Sequence, residues 1–164
     1  MLVCSFICSR IDYCNAVFAG LPRSTTNHLD SVLHAAARMI SGRSLHDHIA
    51  SVLRDELHWL PVPQRVIYKL CLTIYKAINS TAPSYIAAKC VPSSTNQARL
   101  RLHSSDSCQL LLPWTKTELG KRSIALAGTR AWNDLPIARR TSTIFTGFKS
   151  ALKTHLFRCC YPTC

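Results

Sequence analysis

The sequence predicts a mainly α-helical small domain with a short β-hairpin near residues 99–113, on three observations. Apolar residues recur at spacings of three and four through most of the chain, which is the period of a helix with one buried face. Proline or glycine closes most of these segments. One stretch, Arg99-Leu100-Arg101-Leu102-His103, alternates strictly instead, as a half-buried strand does. The chain has 164 residues, 48% hydrophobic and 17% charged, which suits one globular domain with a single core.

Residues 2–18 read as the first helix, with stripes Val3, Ile7, Ile11, Cys14, Phe18 and Leu2, Phe6, Tyr13, Val17. Gly20 and Pro22 stop it. Residues 26–41 carry the stripe Leu29, Val32, Leu33, Ala36, Ala37, Ile40, with Ser24 or Thr25 as cap and Gly42 as terminator. Ala35, Ala36 and Ala37 are small enough to let a neighbouring helix come close. A shorter helix is expected over 48–57, with Asp47 as its N-cap. Pro61 and Pro63 force His58-Trp59-Leu60-Pro61-Val62-Pro63 to turn, and Pro63 suits the first turn of a helix running to about Ile78. In that helix Ile67, Leu70, Cys71, Ile74 and Ile78 are expected to face inward, and Arg65, Lys69 and Lys76 outward. Residues 84–89 add a turn. Leu110 to Leu112 are expected to pair with 99–103 as the hairpin. Helices over 122–134 and 143–157 follow, the last on Phe145, Phe148, Leu152 and Leu156. The expected organisation is a helical part over 1–89, a loop over 90–98 and a basic α+β part over 99–164, packed as one compact domain.

The charge is strongly positive, with 20 Lys and Arg against 8 Asp and Glu, a net of +12. Such an excess points to an anionic partner, most often nucleic acid. Residues 1–97 hold 9 basic and 5 acidic side chains, and residues 98–164 hold 11 and 3. An anion-binding surface is therefore expected mostly in the second part, on Arg99, Arg101, Lys121, Arg122, Arg130, Arg139, Arg140, Lys149 and Lys153. Such groups neutralise phosphates without reading bases. The three tryptophans offer stacking surfaces, but the apolar surroundings of Trp59 and Trp132 place them in the core.

Enzyme chemistry finds little footing. Polymerases and nucleases that use two metal ions need clustered carboxylates, and the only adjacent acids are Asp55 and Glu56, which diverge by about 100° on a helix. Gly120-Lys121 lacks the upstream glycine of a P-loop and is followed by Arg122. No Gly-x-Ser-x-Gly elbow occurs. The nine cysteines show no framework spacing and read as reduced, mostly buried thiols. His155, Cys159, Cys160 and Cys164 in the tail, with Cys4 and Cys8 in the first helix, fit zinc spacing only loosely, and no metal or cofactor is expected. The start lacks the basic n-region of a signal peptide, and no stretch reaches the length of a membrane span, so the expected location is intracellular, in nucleus or cytoplasm. No small-molecule substrate is expected.

Several runs match a known family in its order. SRIDYCNAVFAGLP (9–22), AARMISG (36–42), ELHWLPVPQRVIYKLCLTIYKAINSTAPSYI (56–86), RLRLHSSD (99–106), LLLP (110–113), GKRSIALAGTRAWNDLP (120–136) and FTGFKSALKTHLFR (145–158) resemble the C-terminal region of LINE-type, jockey-like non-LTR retrotransposon reverse transcriptases. Tyr13-Cys14-Asn15, His58-Trp59-Leu60-Pro61 and Trp132-Asn133-Asp134-Leu135-Pro136 are the specific signatures. The resemblance implies a region downstream of the polymerase thumb, active in target-primed reverse transcription, with the polymerase carboxylates and endonuclease upstream of it. It carries no catalytic residue over, and it makes the chain look like a truncated copy that starts at an internal methionine. The expected role is a non-catalytic accessory that binds RNA or DNA with little sequence preference. The alternatives are a domain that docks on the polymerase portion of the parent element, and a decayed reading frame without a selected function.

Overall fold

The computed structural model describes residues 2–95 and 108–162, with side chains from residue 5. Its longest central element is α3 (Val62–Ile78), and its sequence explains its place. Pro61 holds an extended backbone, φ −59° and ψ 158°, and Pro63 sits in the first turn, where a missing N–H costs nothing. The Val62 N–H donates to the Asp30 carboxylate at 2.8 Å, which satisfies one orphan donor of the helix start. Val62, Val66, Leu70, Cys71, Ile74, Tyr75 and Ala77 are all buried, which is more than one face. Helices pack on both sides of it. Ile74 and Cys71 are buried as expected, whereas Ile78 is 42% exposed and Val66 takes an inward place.

On one side lie α1 (Leu2–Asp12), α2 (Arg23–Ser41) and a π-turn over Val52–Glu56. Ile11, Leu33, Ala36, Ala37, Val52, Leu53, Trp59 and Val62 form their shared core. Ala36 and Ala37 are almost wholly buried where α2 meets its neighbours, whereas Ala35 is exposed and takes no part in that approach. Gly42 ends α2 at φ +64°, with its N–H on the Arg38 carbonyl, as a terminating glycine does. The helix begins earlier than expected, at Arg23, with Pro22 and not Ser24 or Thr25 in the cap position. Asp47 accepts from the Ser44 N–H at 2.8 Å and closes a loop turn, so it does not cap the 48–57 segment.

The expected continuous helix over 2–18 ends at Asp12. Cys14 adopts a left-handed conformation, φ 49°, and Asn15–Phe18 form a 3-10 turn. Tertiary ties favour the break. Arg65 Nη1 donates to both Asp12 carboxylate oxygens at 3.0 and 2.9 Å, and Arg65 Nε donates to the Leu60 carbonyl at 2.7 Å. Arg122 donates to the Val17 and Ala19 carbonyls at 2.9 and 3.1 Å. The turned chain then buries Ala19 against Val66 and Leu70.

On the other side of α3 lie α6 (Thr129–Asn133) and α8 (Phe145–Cys160), with short α7 (Ile137–Arg140) between them in the chain and short α4 (Ser84–Ala87) and α5 (Glu118–Lys121) before them. Trp132, Phe148, Leu152 and Leu156 join Cys71, Ile74 and Tyr75 in the larger core. Tyr75 stacks on Phe148 with ring centroids 4.4 Å apart, and its hydroxyl donates to the Thr143 carbonyl at 2.8 Å. The helix expected over 122–134 is divided into a π-turn, Ile124–Gly128, and α6. Gly128 sits where this segment meets α3. A Cβ there would lie 3.0 Å from Ile74 Cδ1 and 3.1 Å from Cγ1. Gly128→Ala should therefore lose roughly 1–3 kcal/mol of stability by overpacking, read as a lower urea midpoint at unchanged slope.

The expected β-hairpin is overturned. No strand occurs among the described residues, and Leu110 makes only an isolated antiparallel bridge, to Pro92. Its neighbours bond accordingly: Ser93 N–H to Gln109 O and Leu111 N–H to Val91 O, both 2.8 Å. The other arm, 99–103, lies outside the described residues. Leu110 has another partner that a strand would displace. Its N–H donates to Asn133 Oδ1 at 2.9 Å, and Asn133 Nδ2 donates to its carbonyl at 2.8 Å. The carboxamide thus supplies the donor and acceptor that a neighbouring strand offers. Trp132 Nε1 holds the Cys108 carbonyl at 2.9 Å. The correct class is mainly α-helical without a sheet among the described residues.

Candidate nucleic-acid interface

The acids of the protein are largely spoken for. Asp12 pairs with Arg65, Asp55 with Arg54 at 2.7 Å, Glu56 with Arg43 at 3.7 Å, and Glu118 with Lys121. The hydrogen bond from Arg54 lowers the pKa of Asp55. Asp55 and Glu56 thus serve different arginines and form no joint acid–base or metal-binding pair. Among the described residues no three His, Cys, Asp or Glu gather to hold a metal ion. Cys159 Sγ lies 3.8 Å from His155 Nε2 on α8, and Cys164 is outside the described residues. Burial pushes the Cys71 thiol up to about 12, helped by the charge of Asp134, and the Cys160 thiol up to about 11. Both are held as inert thiols at neutral pH. Among the described residues no helix is long and apolar enough to cross a membrane.

The basic residues expected to bind phosphate fall into separate places. Lys149 and Lys153 are exposed, four residues apart on α8, so they share a face. Lys69 of α3 joins Lys153 at the rim of a cavity of about 390 Å³ that Asp12, Asn15, Trp59 and Tyr68 also line. Asn15 is 2% exposed there, and its Oδ1 has no hydrogen-bond partner. Lys121 and Arg130 line a second cavity, of about 380 Å³, with Arg23 and Asp134; its floor is apolar, with Phe18, Val66 and Leu70. Lys121 is also tied to Glu118. Arg139 and Arg140 end α7, half-buried. Arg122 is engaged by two backbone carbonyls, which gives its guanidinium a structural task. Arg99 and Arg101 lie outside the described residues.

Two cations of these clusters, Arg23 and Lys69, were absent from the expected set. Lys69 was legible as an outward position of its helix. Arg23 stands in the first turn of α2, where the helix dipole disfavours a cation, and that misfit was its signal. The aromatic residues sort clearly. Trp132 and Trp59 are buried, at 1% and 9% exposure, while Trp114 is 79% exposed with Lys116 Nζ 5.3 Å from its ring centre. A bare indole beside an ammonium is the pairing that holds an unstacked base and its phosphate.

The chain matches no known family model, no curated protein and no solved structure.

Proposed function

We propose that this protein is a non-catalytic, sequence-tolerant RNA- or DNA-binding module of the kind its resemblance implies, an accessory to target-primed reverse transcription that works inside the cell. The observation that carries the reading is the electrostatic imbalance. Six of the seven described carboxylates are tied to arginines, to Lys121 or to backbone donors of the same chain, while Lys69, Arg130, Lys149 and Lys153 stand exposed without an ion pair among the described residues. Cations spread over several sites track a backbone and read no base edges, so little sequence preference is expected. Trp114 supplies a stacking surface. The test is anisotropy of a labelled single strand titrated with protein at 50 to 200 mM salt. Log affinity should fall linearly with log salt concentration, equally for unrelated sequences. Salt-independent binding, or none, overturns the reading.

A second reading, docking on the polymerase portion of the parent element, has its own support. Phe6 is 64% exposed, Tyr13 77% and Val17 59%, all on the α1 end of the molecule; the Leu2 side chain, expected beside them, lies outside the described ones. Exposed apolar clusters mark interfaces or aggregation sites. Phe6→Gln, Tyr13→Gln and Val17→Thr together should raise solubility and leave helical content unchanged, as read by light scattering and circular dichroism. Unfolding of the triple variant would assign these residues to the protein's own core.

A further inference from the structure

Arg140 presents a problem of charge. It ends α7 half-buried, and its Nε and Nη1 atoms are buried with no hydrogen-bond partner. Guanidinium donors held away from water without an acceptor are costly, because they lose hydration and gain nothing. Arg140 lines a cavity of about 490 Å³, and every other described residue of that lining is uncharged. No carboxylate among them balances it. The remaining polar wall offers donors in the hydroxyls of Ser94, Ser142 and Thr143 and the carboxamide of Gln109, while the Asn79 carboxamide already donates to the Tyr75 carbonyl at 2.8 Å. A half-buried cation with two unpartnered nitrogens, neutral donors around it and no anion among the described lining residues form the chemistry of an anion site.

We propose that this cavity seats a phosphoryl group, with the Arg140 guanidinium as its charged partner and the Ser142 and Gln109 side chains as further donors. A phosphoryl group carries several acceptor oxygens in a tetrahedral array, so it can meet a cation on one side and hydroxyl donors on others. The cavity is far larger than a single phosphate, and it leaves room for the sugar and base attached to one. The phosphate can come from a strand end or from free phosphate. Only the strand-end source rests on the nucleic-acid reading above.

The experiment is thermal unfolding of the whole protein in phosphate-free buffer, with inorganic phosphate added at constant ionic strength against chloride. At about one hundred times the dissociation constant, the wild-type midpoint should rise by roughly 5–10 °C. Arg140→Gln should show no such rise. Without phosphate it should be at least as stable as the wild type, because two buried donors without an acceptor have been removed. Ser142→Ala should keep the fold and need severalfold more phosphate for the same shift. An equal rise in chloride, an equal rise in Arg140→Gln, or destabilisation of Arg140→Gln in phosphate-free buffer overturns the proposal. The source is set by a 5′-phosphorylated oligonucleotide and its 5′-hydroxyl twin. Tighter binding of the phosphorylated strand, lost in Arg140→Gln, assigns a strand end, and equal binding assigns free phosphate. Salt-dependent strand binding without a phosphate shift sinks this site and leaves the nucleic-acid reading standing; the reverse result does the opposite.

Discussion

Trp132→Ala should bring the protein close to unfolding. The indole is 1% exposed, packs against Tyr75 and Phe148, and carries the hydrogen bond to the Cys108 carbonyl. Removing it leaves a cavity between α3, α6 and α8 and an unpaired carbonyl. Truncations of this size cost about 3–5 kcal/mol. A domain's whole stability is about 5–15 kcal/mol, so the variant should show a sharply lower urea midpoint or fold only in part. Trp132→Phe separates the two contributions. It keeps an aromatic ring in the core and loses the hydrogen bond and some packing, so its loss should be about half as large. If Trp132→Ala unfolds at the wild-type urea concentration, α6 is not held by this core, and the described packing fails.

Neutralising Lys69, Arg130, Lys149 and Lys153 together to glutamine should have the largest functional effect. Each exposed cation that meets a phosphate releases a counterion, and on single strands the slope of log affinity against log salt is about −0.7 for each contact. Losing four contacts should flatten that slope by about 3 and weaken binding at low salt at least tenfold, alike for unrelated sequences. The side chains are exposed, so the thermal midpoint should hardly move. Unchanged affinity with an intact fold would transfer the function to the apolar surface of Phe6, Tyr13 and Val17. The Arg122→Gln variant gives the contrast. Its guanidinium holds the Val17 and Ala19 carbonyls, so its loss should lower stability by about 1–3 kcal/mol and alter binding only through the fold.

The runs that carry the family resemblance take on physical meaning in the fold. Trp132 and Asn133 hold the chain at Cys108 and Leu110 through side-chain hydrogen bonds. Asp12, ahead of Tyr13-Cys14-Asn15, meets Arg65 just beyond the His58-Trp59-Leu60-Pro61 run, and the Arg65 guanidinium lies 5.9 Å from the Trp59 ring centre. The Trp132-Asn133 pair and the Asp12–Arg65 pair that flanks the other two runs thus tie together segments far apart in sequence. These contacts hold the fold of this chain and say nothing by themselves about catalysis.

The sequence by itself determined the helices that have strong local instructions. The α3 start follows from Pro61 and Pro63, the α2 end from Gly42, and the buried stripe of α8 from Phe148, Leu152 and Leu156. It also determined the net charge of +12, which composition alone sets. The tertiary structure decided what has no local signal. Helical periodicity runs through residues 2–18, yet Asp12 and Arg122 are drawn to distant partners and the chain turns at Cys14. Leu110 to Leu112 are expected to pair as one arm of a hairpin, yet the Asn133 carboxamide meets both backbone groups of Leu110 from a helix. The basic residues look equivalent in sequence, and only packing separates Arg122, consumed by carbonyls, from exposed Lys149 and Lys153 and from half-buried Arg140, two of whose nitrogens are buried without a partner. Periodicity records which face of a segment prefers apolar surroundings. The partner of a single polar group is a long-range contact, and no local pattern encodes it.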